Sequence, residues 1–193
     1  MSKIALSGNA SGTGTLTIAA PNTSTDRTLT LPDNTGTILT NATAGTVLQV
    51  VSATYSTYTT VASTSFTDSG LTATITPTSS NSKILILLNP AIGVYRQTNA
   101  SAHGSMNIVR GSTQITQLDG PSISSGVDAS GFIVLSAAGC FIYLDSPSTT
   151  SSTTYKMQMR INTTANSGTV RLNNYITSTG DTKSSITLME IAA

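Results

Sequence analysis

Charge is scarce in this sequence: Asp, Glu, Lys and Arg make up 9% of its 193 residues, against roughly 25% in an average soluble protein. The net charge is +1, so the sequence predicts no basic surface for nucleic acid or an anionic membrane. No apolar run approaches the ~18 residues that span a bilayer. The start, MSKIALSGNASG, lacks the apolar core of a signal peptide. We therefore expect neither nucleic acid nor membrane as a partner.

Side chains for catalysis or metal binding are also rare, with one His, one Cys and no Trp. His103 falls in NASAHGSM, which predicts a solvated loop residue, and Cys140 falls in SAAGCFIYL, which predicts a buried strand thiol. Zinc sites and activated nucleophiles need clusters of such residues. Acids that a glycosidase would need sit in turn contexts, as at Asp33, Asp119 and Asp181. We expect no enzymatic activity, no metal and no cofactor.

Hydroxyl side chains are abundant instead, with 36 Thr and 28 Ser residues making up about a third of the chain. Disordered chains usually combine high net charge with few β-branched residues. Here Thr, Val and Ile are frequent, and their branched Cβ atoms suit a pleated backbone. The composition therefore predicts an all-β protein whose surface is covered by hydroxyls rather than charges.

Residues 1–49 form one compositional unit with little to bury. GTLTIAAP and RTLTLPDNTGTIL each alternate a few apolar residues with Thr, and PDNTG supplies a turn between extended segments. An isolated pair of such strands would be marginal in water. The unit is predicted to be an extended β arm that needs a partner, through these apolar residues: Leu16, Ile18, Leu29, Leu31, Ile38 and Leu39.

Residues 50–193 contain longer strands and a core of their own. The apolar run Ile84–Leu88 suits a strand buried on both sides or central in a sandwich, and TYKMQMRIN alternates cleanly between apolar and polar positions. A hairpin is predicted around Gly111 and Ser112, and GFIVLSAAGCFIYLDSP reads as two strands joined by small residues. Eight or more short strands with polar turns predict an antiparallel, jelly-roll-like β-sandwich.

The segment APNTSTDRTLTLPDNTGTIL closely resembles a segment of tailed-bacteriophage virion proteins, especially fibres and decoration proteins. The family pattern has the form APxTxxxRTxTLPDxTGT, and the later segments SFTDSGLTATITPTSSNSKILI, NIVRGSTQI and SSITLMEI are similar to the β-sandwich that follows it. The resemblance implies a homotrimer in which three arms wrap together. It also implies localisation in the virion, after synthesis in the bacterial host cytoplasm.

Asp26 and Arg27 are an acid–base pair in an otherwise uncharged arm. They admit two interpretations: a salt bridge between subunits that fixes the trimer register, or a solvated pair worth less than ~1 kcal/mol. Three copies around an axis would in either case multiply the apolar surface and satisfy the strand edges.

Two roles fit the resemblance. One is a capsid decoration, or cement, protein that binds the major capsid protein and stabilises the head. The other is a short tail fibre or fibre tip that binds a host surface glycan, with Tyr55, Tyr58, Tyr95 and Tyr143 either forming a stacking surface or lying in the core or interface. Because the arm begins within about 15 residues of Met1, with no attachment domain ahead of it, the sequence favours the decoration protein.

Overall fold

The computed structural model describes residues 11–15, 17, 22–26, 28, 44–97, 101–123, 132–173 and 182–193. The chain divides into two units, Met1–Ile38 and Leu39–Ala193. The strands predicted for the arm lie almost wholly outside the described residues, so they stay a prediction. The predicted boundary after residue 49 stays one as well, and the first described strand begins at Val47.

The second unit is built from strands, with one short 3-10 helix and no α-helix among the described residues. The strands are β1 (Val47–Tyr55), β2 (Thr59–Val61), β3 (Thr67–Ile75), β4 (Lys83–Asn89), β5 (Ala91–Gln97), β6 (Ala102–Arg110), β7 (Thr113–Ile123), β8 (Phe132–Ala138), β9 (Phe141–Asp145), β10 (Thr153–Ile161), β11 (Thr169–Leu172) and β12 (Ser184–Ile191). The 3-10 helix spans Ala165–Ser167. The predicted all-β class is confirmed.

Hydrogen bonding groups the strands in three sets of four, in the orders β1-β12-β4-β9, β2-β11-β5-β8 and β3-β10-β6-β7. The first two sets adjoin along the chain, and we describe them as the two halves of one sheet that bends where its strands are interrupted. Only Pro90 separates β4 from β5, and only Gly139 and Cys140 separate β8 from β9. Strands β11 and β12 run in the same direction along β5 and β4. We call these two sets together the bent sheet, and we call the third set, whose strands are not interrupted in this way, the flat sheet.

If β1–β2, β4–β5, β8–β9 and β11–β12 are each counted as one segment, the described strands form eight segments. The bent sheet joins the first, eighth, third and sixth segments, and the flat sheet joins the second, seventh, fourth and fifth. All pairings are antiparallel. This order of eight strands in two sheets is that of a jelly roll. The predicted jelly-roll-like sandwich is therefore confirmed.

A network of polar side chains holds the bend of the bent sheet. Pro90 offers no backbone donor for the ladder, and the next residue, Ala91, donates its N–H to the Ser184 hydroxyl at 2.9 Å. Ser184 in turn donates to Asn173 Oδ1 at 2.7 Å, and Asn173 Nδ2 donates to the Tyr55 carbonyl at 2.8 Å. Asn173 and Ser184 are both buried. Their bonds replace ladder bonds between β1, β4 and β12 where the strands break.

The core lies between the two sheets and follows the alternation read from the sequence. On β10, alternate side chains are fully buried, as predicted: Tyr155, Met157, Met159 and Ile161. On β4, Ile84, Ile86 and Leu88 are fully buried, whereas Leu85 and Leu87 are only partly covered. Of the two predictions for this run, the central sandwich strand is confirmed, because β4 lies between β12 and β9.

The turn between β6 and β7 confirms the predicted hairpin. Arg110 pairs with Thr113 across the two-residue loop, and Gly111 adopts a φ of 59°. Such a positive φ is accessible to Gly at little steric cost.

Three local predictions are wrong. Cys140 is exposed because it lies at the break between β8 and β9 and not within a strand. His103 lies inside β6 rather than in a loop, although its side chain is exposed as predicted. Asp119 lies inside β7 and pairs with Ser105. For His103 and Asp119, small neighbouring residues indicated a loop or turn, but ladder pairing in the folded sheet determines the local structure.

Candidate protein-contact surface

The site residues predicted in the arm are not brought together by the described structure. Asp26 is described and exposed, and nearby the Thr25 N–H bonds the Thr23 hydroxyl at 3.1 Å. The other seven lie outside the described residues: Leu16, Ile18, Arg27, Leu29, Leu31, Ile38 and Leu39. Their roles, and the Asp26–Arg27 pair, stay predictions.

The structure reveals a second surface, on the side of the bent sheet that faces away from the core. The register places Val50, Met189, Leu85 and Leu144 in one row across the four strands β1, β12, β4 and β9. In the next row Leu87 lies opposite Ile142. We call these six residues the apolar outer face. Neighbouring strands lie about 4.8 Å apart, so the face is roughly 15 Å wide.

The members of this face on the outer strands are largely exposed. Ile142 is 65% exposed, Val50 is 54% and Leu144 is 51%. Leu85, Leu87 and Met189, on the two central strands, are partly covered by their neighbours. Single exposed apolar residues are common on proteins, but a contiguous group marks an interaction site.

Strand β9 is apolar on both sides. Its inward side chains are Phe141, Tyr143 and Asp145, and the first two pack against the core. The alternate positions, Ile142 and Leu144, are also large and apolar, although β9 is the last strand in its hydrogen-bonded set. Edge strands are usually protected by charged residues or Pro. The outward side chains of this strand therefore make the face a candidate for contact with another protein.

Charge is confined to the rim of the face. Lys83 lies at the start of β4, opposite Ile191, and its Nζ contacts the Ser146 hydroxyl at 3.3 Å. Towards β1 the second row continues with two hydroxyls, Ser52 and Thr187, hydrogen-bonded to each other at 3.0 Å. The centre of the face is therefore apolar and uncharged.

The outer side of the flat sheet has the opposite character. Asp68 accepts a hydrogen bond from Lys156 at 2.7 Å and one from Gln158 at 2.6 Å. These two bonds hold the pKa of Asp68 below its usual value. Arg160 lies over the Phe66 ring, 4.6 Å from its centroid. This side is suited to water, so the apolar outer face is a local feature and not a property of the whole surface.

The tyrosines do not form one stacking platform. Tyr55 and Tyr143 pack against the core, as the second of the two interpretations predicts. Tyr58 is 49% exposed, and the Arg171 guanidinium covers the Tyr95 ring at 3.8 Å. A ring that already stacks on Arg171 is less available for a sugar.

Two buried carboxylates, Asp145 and Glu190, have structural partners. Asp145 Oδ2 accepts from Arg110 at 2.8 Å and from the Tyr155 hydroxyl at 2.7 Å. Glu190 accepts from Gln49 at 2.5 Å and from the N–H of Thr78 at 2.7 Å. Their hydrogen bonds connect strands and loops at the ends of the sandwich.

Burial alone raises the pKa of Glu190, but the hydrogen bonds from Gln49 and Thr78 outweigh it and hold the pKa below its usual value of 4.5. Burial is also the main reason why the pKa of Tyr155 lies well above its usual value of 10.0, and the hydrogen bond to Asp145 raises it further.

Within the described ranges, no group of three or more His, Cys, Asp or Glu residues could hold a metal ion. No helix in the described part of the chain is long and apolar enough to cross a membrane.

Sequence reasoning missed the apolar outer face, although its signal was present. The runs Ile84–Leu88 and Phe141–Leu144 are apolar at consecutive positions, whereas β10 alternates. A consecutive run indicates that both sides of a strand meet apolar neighbours. Only the fold shows that one of these sides faces outward.

No protein-family model matches the chain, and no curated protein matches it. Similar solved structures include that of infectious bursal disease virus strain Gt, with a TM-score of 0.31 and 10% identity over 76% of this chain and 39% of that chain. The structure of the VP2 subviral particle of the same virus has a TM-score of 0.28 and 13% identity over 75% of this chain and 38% of that chain. The chain thus spans about two fifths of the viral proteins that it matches. At these TM-scores the similarity carries no functional argument.

Proposed function

We propose that this protein is a non-enzymatic structural component of a bacteriophage virion, a homotrimeric decoration protein that stabilises the capsid. The observation that carries the proposal is the apolar outer face, an uncharged contact surface on a jelly roll whose other side is polar. Such a face has the chemistry of a permanent protein contact. The resemblance of the arm to phage virion proteins supplies the kind of assembly.

The amino-acid composition of the arm and of the sandwich suggests a different role for each. The arm carries apolar residues without enough chain of its own to bury them, so it needs a surface from another subunit or from the major capsid protein. The sandwich has its own core between two sheets and is the rigid body that the arm would attach. A trimer that bridges neighbouring capsid subunits would resist outward pressure from packaged DNA.

The test compares virions with and without the protein. Particles that lack it should adsorb to host cells at the normal rate but lose their genomes more readily on heating or at low salt. Restoring purified protein should restore resistance. Poor adsorption with ordinary capsid stability would refute the decoration role and support the alternative, a short tail fibre that binds a host glycan.

The non-enzymatic part of the proposal has its own test. His103→Ala and Cys140→Ser replace the only imidazole and the only thiol in the chain. Both side chains are exposed, so neither change should disturb the core. We expect both variants to assemble and to support infection as the unmodified protein does. Loss of infectivity with normal assembly would point to chemistry at that residue.

A further inference from the structure

We propose that the apolar outer face is where copies of this chain meet, so that the sandwich itself, and not only the arm, holds the trimer together. This inference rests on the proposed trimeric function and names the occupant of its contact surface. The occupant is a second copy of this chain, bound through the side of the bent sheet formed by β1, β12, β4 and β9.

The composition of the face favours a permanent partner over a transient one. Interfaces between proteins that also exist apart are about as apolar as ordinary surface, whereas homo-oligomer interfaces are more apolar. Obligate interfaces resemble a domain core cut in half. The outward residues Leu85 and Leu87 on β4 are of the same type as the inward residues Ile84, Ile86 and Leu88.

The charge distribution favours a copy of the same chain. In a trimer, identical groups meet only close to the three-fold axis, and a charge placed there would face like charges from the other two subunits. The six residues of the face carry none, and Lys83 is at the rim. The polar side of the flat sheet, with Asp68, Lys156 and Arg160, is the one left for solvent.

The face accounts for about half of the surface that a stable interface buries on each partner, so residues at its margin must supply the rest. Three residues are half or more exposed and three are partly exposed, which together offer on the order of 400 Å² of apolar surface. A stable interface buries about 800 Å² on each partner, with an apolar core and a polar rim. The face supplies the core, and Ser52, Thr187 and Lys83 lie at its margin.

The experiment measures the oligomeric state of the full chain by light scattering over a concentration series. Leu144→Lys and Ile142→Glu place charges of opposite sign in the face at exposed positions, so either sign is tested without disturbing the core. Like charges brought together cost several kcal/mol, so we expect each variant to raise the dissociation constant of the trimer by about 100-fold or more. Leu144→Ser, which removes the apolar surface without adding charge, should raise it by about 10-fold.

The matched control is Gln117→Lys, which adds the same charge at an exposed position of β7, on the outer side of the flat sheet. It should leave the trimer unchanged. Circular dichroism and urea unfolding of each diluted variant verify that the sandwich is folded.

Two outcomes would overturn the inference. One is an unmodified protein that is monomeric at micromolar concentration. The other is that the face variants remain trimers as tight as the control. If these trimeric variants no longer bind capsids, the face contacts the capsid instead, and the decoration role stands. The inference is supported if the face variants become monomers and their binding to capsids is weak. A protein that trimerises through this face but never binds capsids would support the inference while refuting the decoration role.

Discussion

The Tyr155 hydroxyl donates a 2.7 Å hydrogen bond to Asp145 Oδ2, and the two residues lie on different sheets. Tyr155 is fully buried on β10 of the flat sheet, and Asp145 ends β9 of the bent sheet. Arg110, on β6, donates to the same carboxylate oxygen. The pair therefore links the two layers at one end of the sandwich, next to the strand that carries Ile142 and Leu144.

Removing this hydroxyl tests the link. In Tyr155→Phe the ring still fills the core, but Asp145 loses one of its two donors in a buried position. A hydrogen bond to a charged group contributes about 1.5–3 kcal/mol, and we expect the free energy of unfolding by urea to fall by that amount. Tyr58→Phe, at a position that is 49% exposed, is the control and should change it little. Equal effects in the two variants would contradict the role of the Tyr155–Asp145 bond.

We expect the folded protein to lose stability in acid because of Glu190. Its pKa is lower in the folded chain than its usual value of 4.5, so the ionised group stabilises the fold at a pH above 4.5. That contribution is lost as the pH falls below 4.5 through the folded pKa. Glu190→Gln should be less stable than the unmodified protein at pH 7, and the difference should shrink below pH 4. Urea unfolding at a series of pH values measures this difference, and a constant difference would argue against it.

We expect any larger residue at position 70 to strain the backbone. Its φ is 92°, and a Cβ atom there would overlap the ring of Tyr55. Gly70→Ala combines backbone strain with that overlap, so we expect it to destabilise the fold by about 2–4 kcal/mol. Gly111→Ala is a matched control, because Gly111 also has a positive φ but has open space around its Cα. It should cost only about 1 kcal/mol. Similar thermal unfolding of both variants would rule out the contact with Tyr55.

Deleting Met1–Ile38 separates the roles of the arm and the sandwich. All twelve described strands remain, and the sandwich begins with backbone bonds of 2.8 Å from Gly45 to Ala192 and 2.9 Å from Ala192 to Thr46. We expect the truncated chain to unfold cooperatively in urea, to stay trimeric through the apolar outer face, and to fail to bind capsids. Loss of cooperative unfolding would show that the sandwich depends on the arm.

The deletion also tests the attachment role of the arm. Full capsid binding by a folded, truncated trimer would show that attachment lies in the sandwich. The suitable control is a full-length chain purified and assayed in parallel on the same particles.

The sequence by itself determined the class of the fold and much of its core. Scarce charge, abundant Thr and the alternation from Tyr155 to Ile161 are local properties, because a strand buries every second side chain whatever it pairs with. The Gly111 hairpin was predictable for the same reason, since its turn depends on neighbouring residues. The arm is predicted from its resemblance and from its lack of apolar residues, and it stays a prediction because it lies almost wholly outside the described residues.

Tertiary structure decided which sides of the strands face outward. The run from Ile84 to Leu88 is apolar throughout, and only the pairing of β4 with β9 and β12 shows that Leu85 and Leu87 lie in the outer rows with Leu144 and Ile142. The polar network at Asn173 and Ser184 joins residues up to 118 positions apart, so no local sequence pattern predicts it. Cys140 is exposed for a similar reason, because it lies where the sheet bends. Sequence periodicity determines which side chains share a face, but whether that face meets a core, water or another subunit depends on contacts between distant parts of the chain.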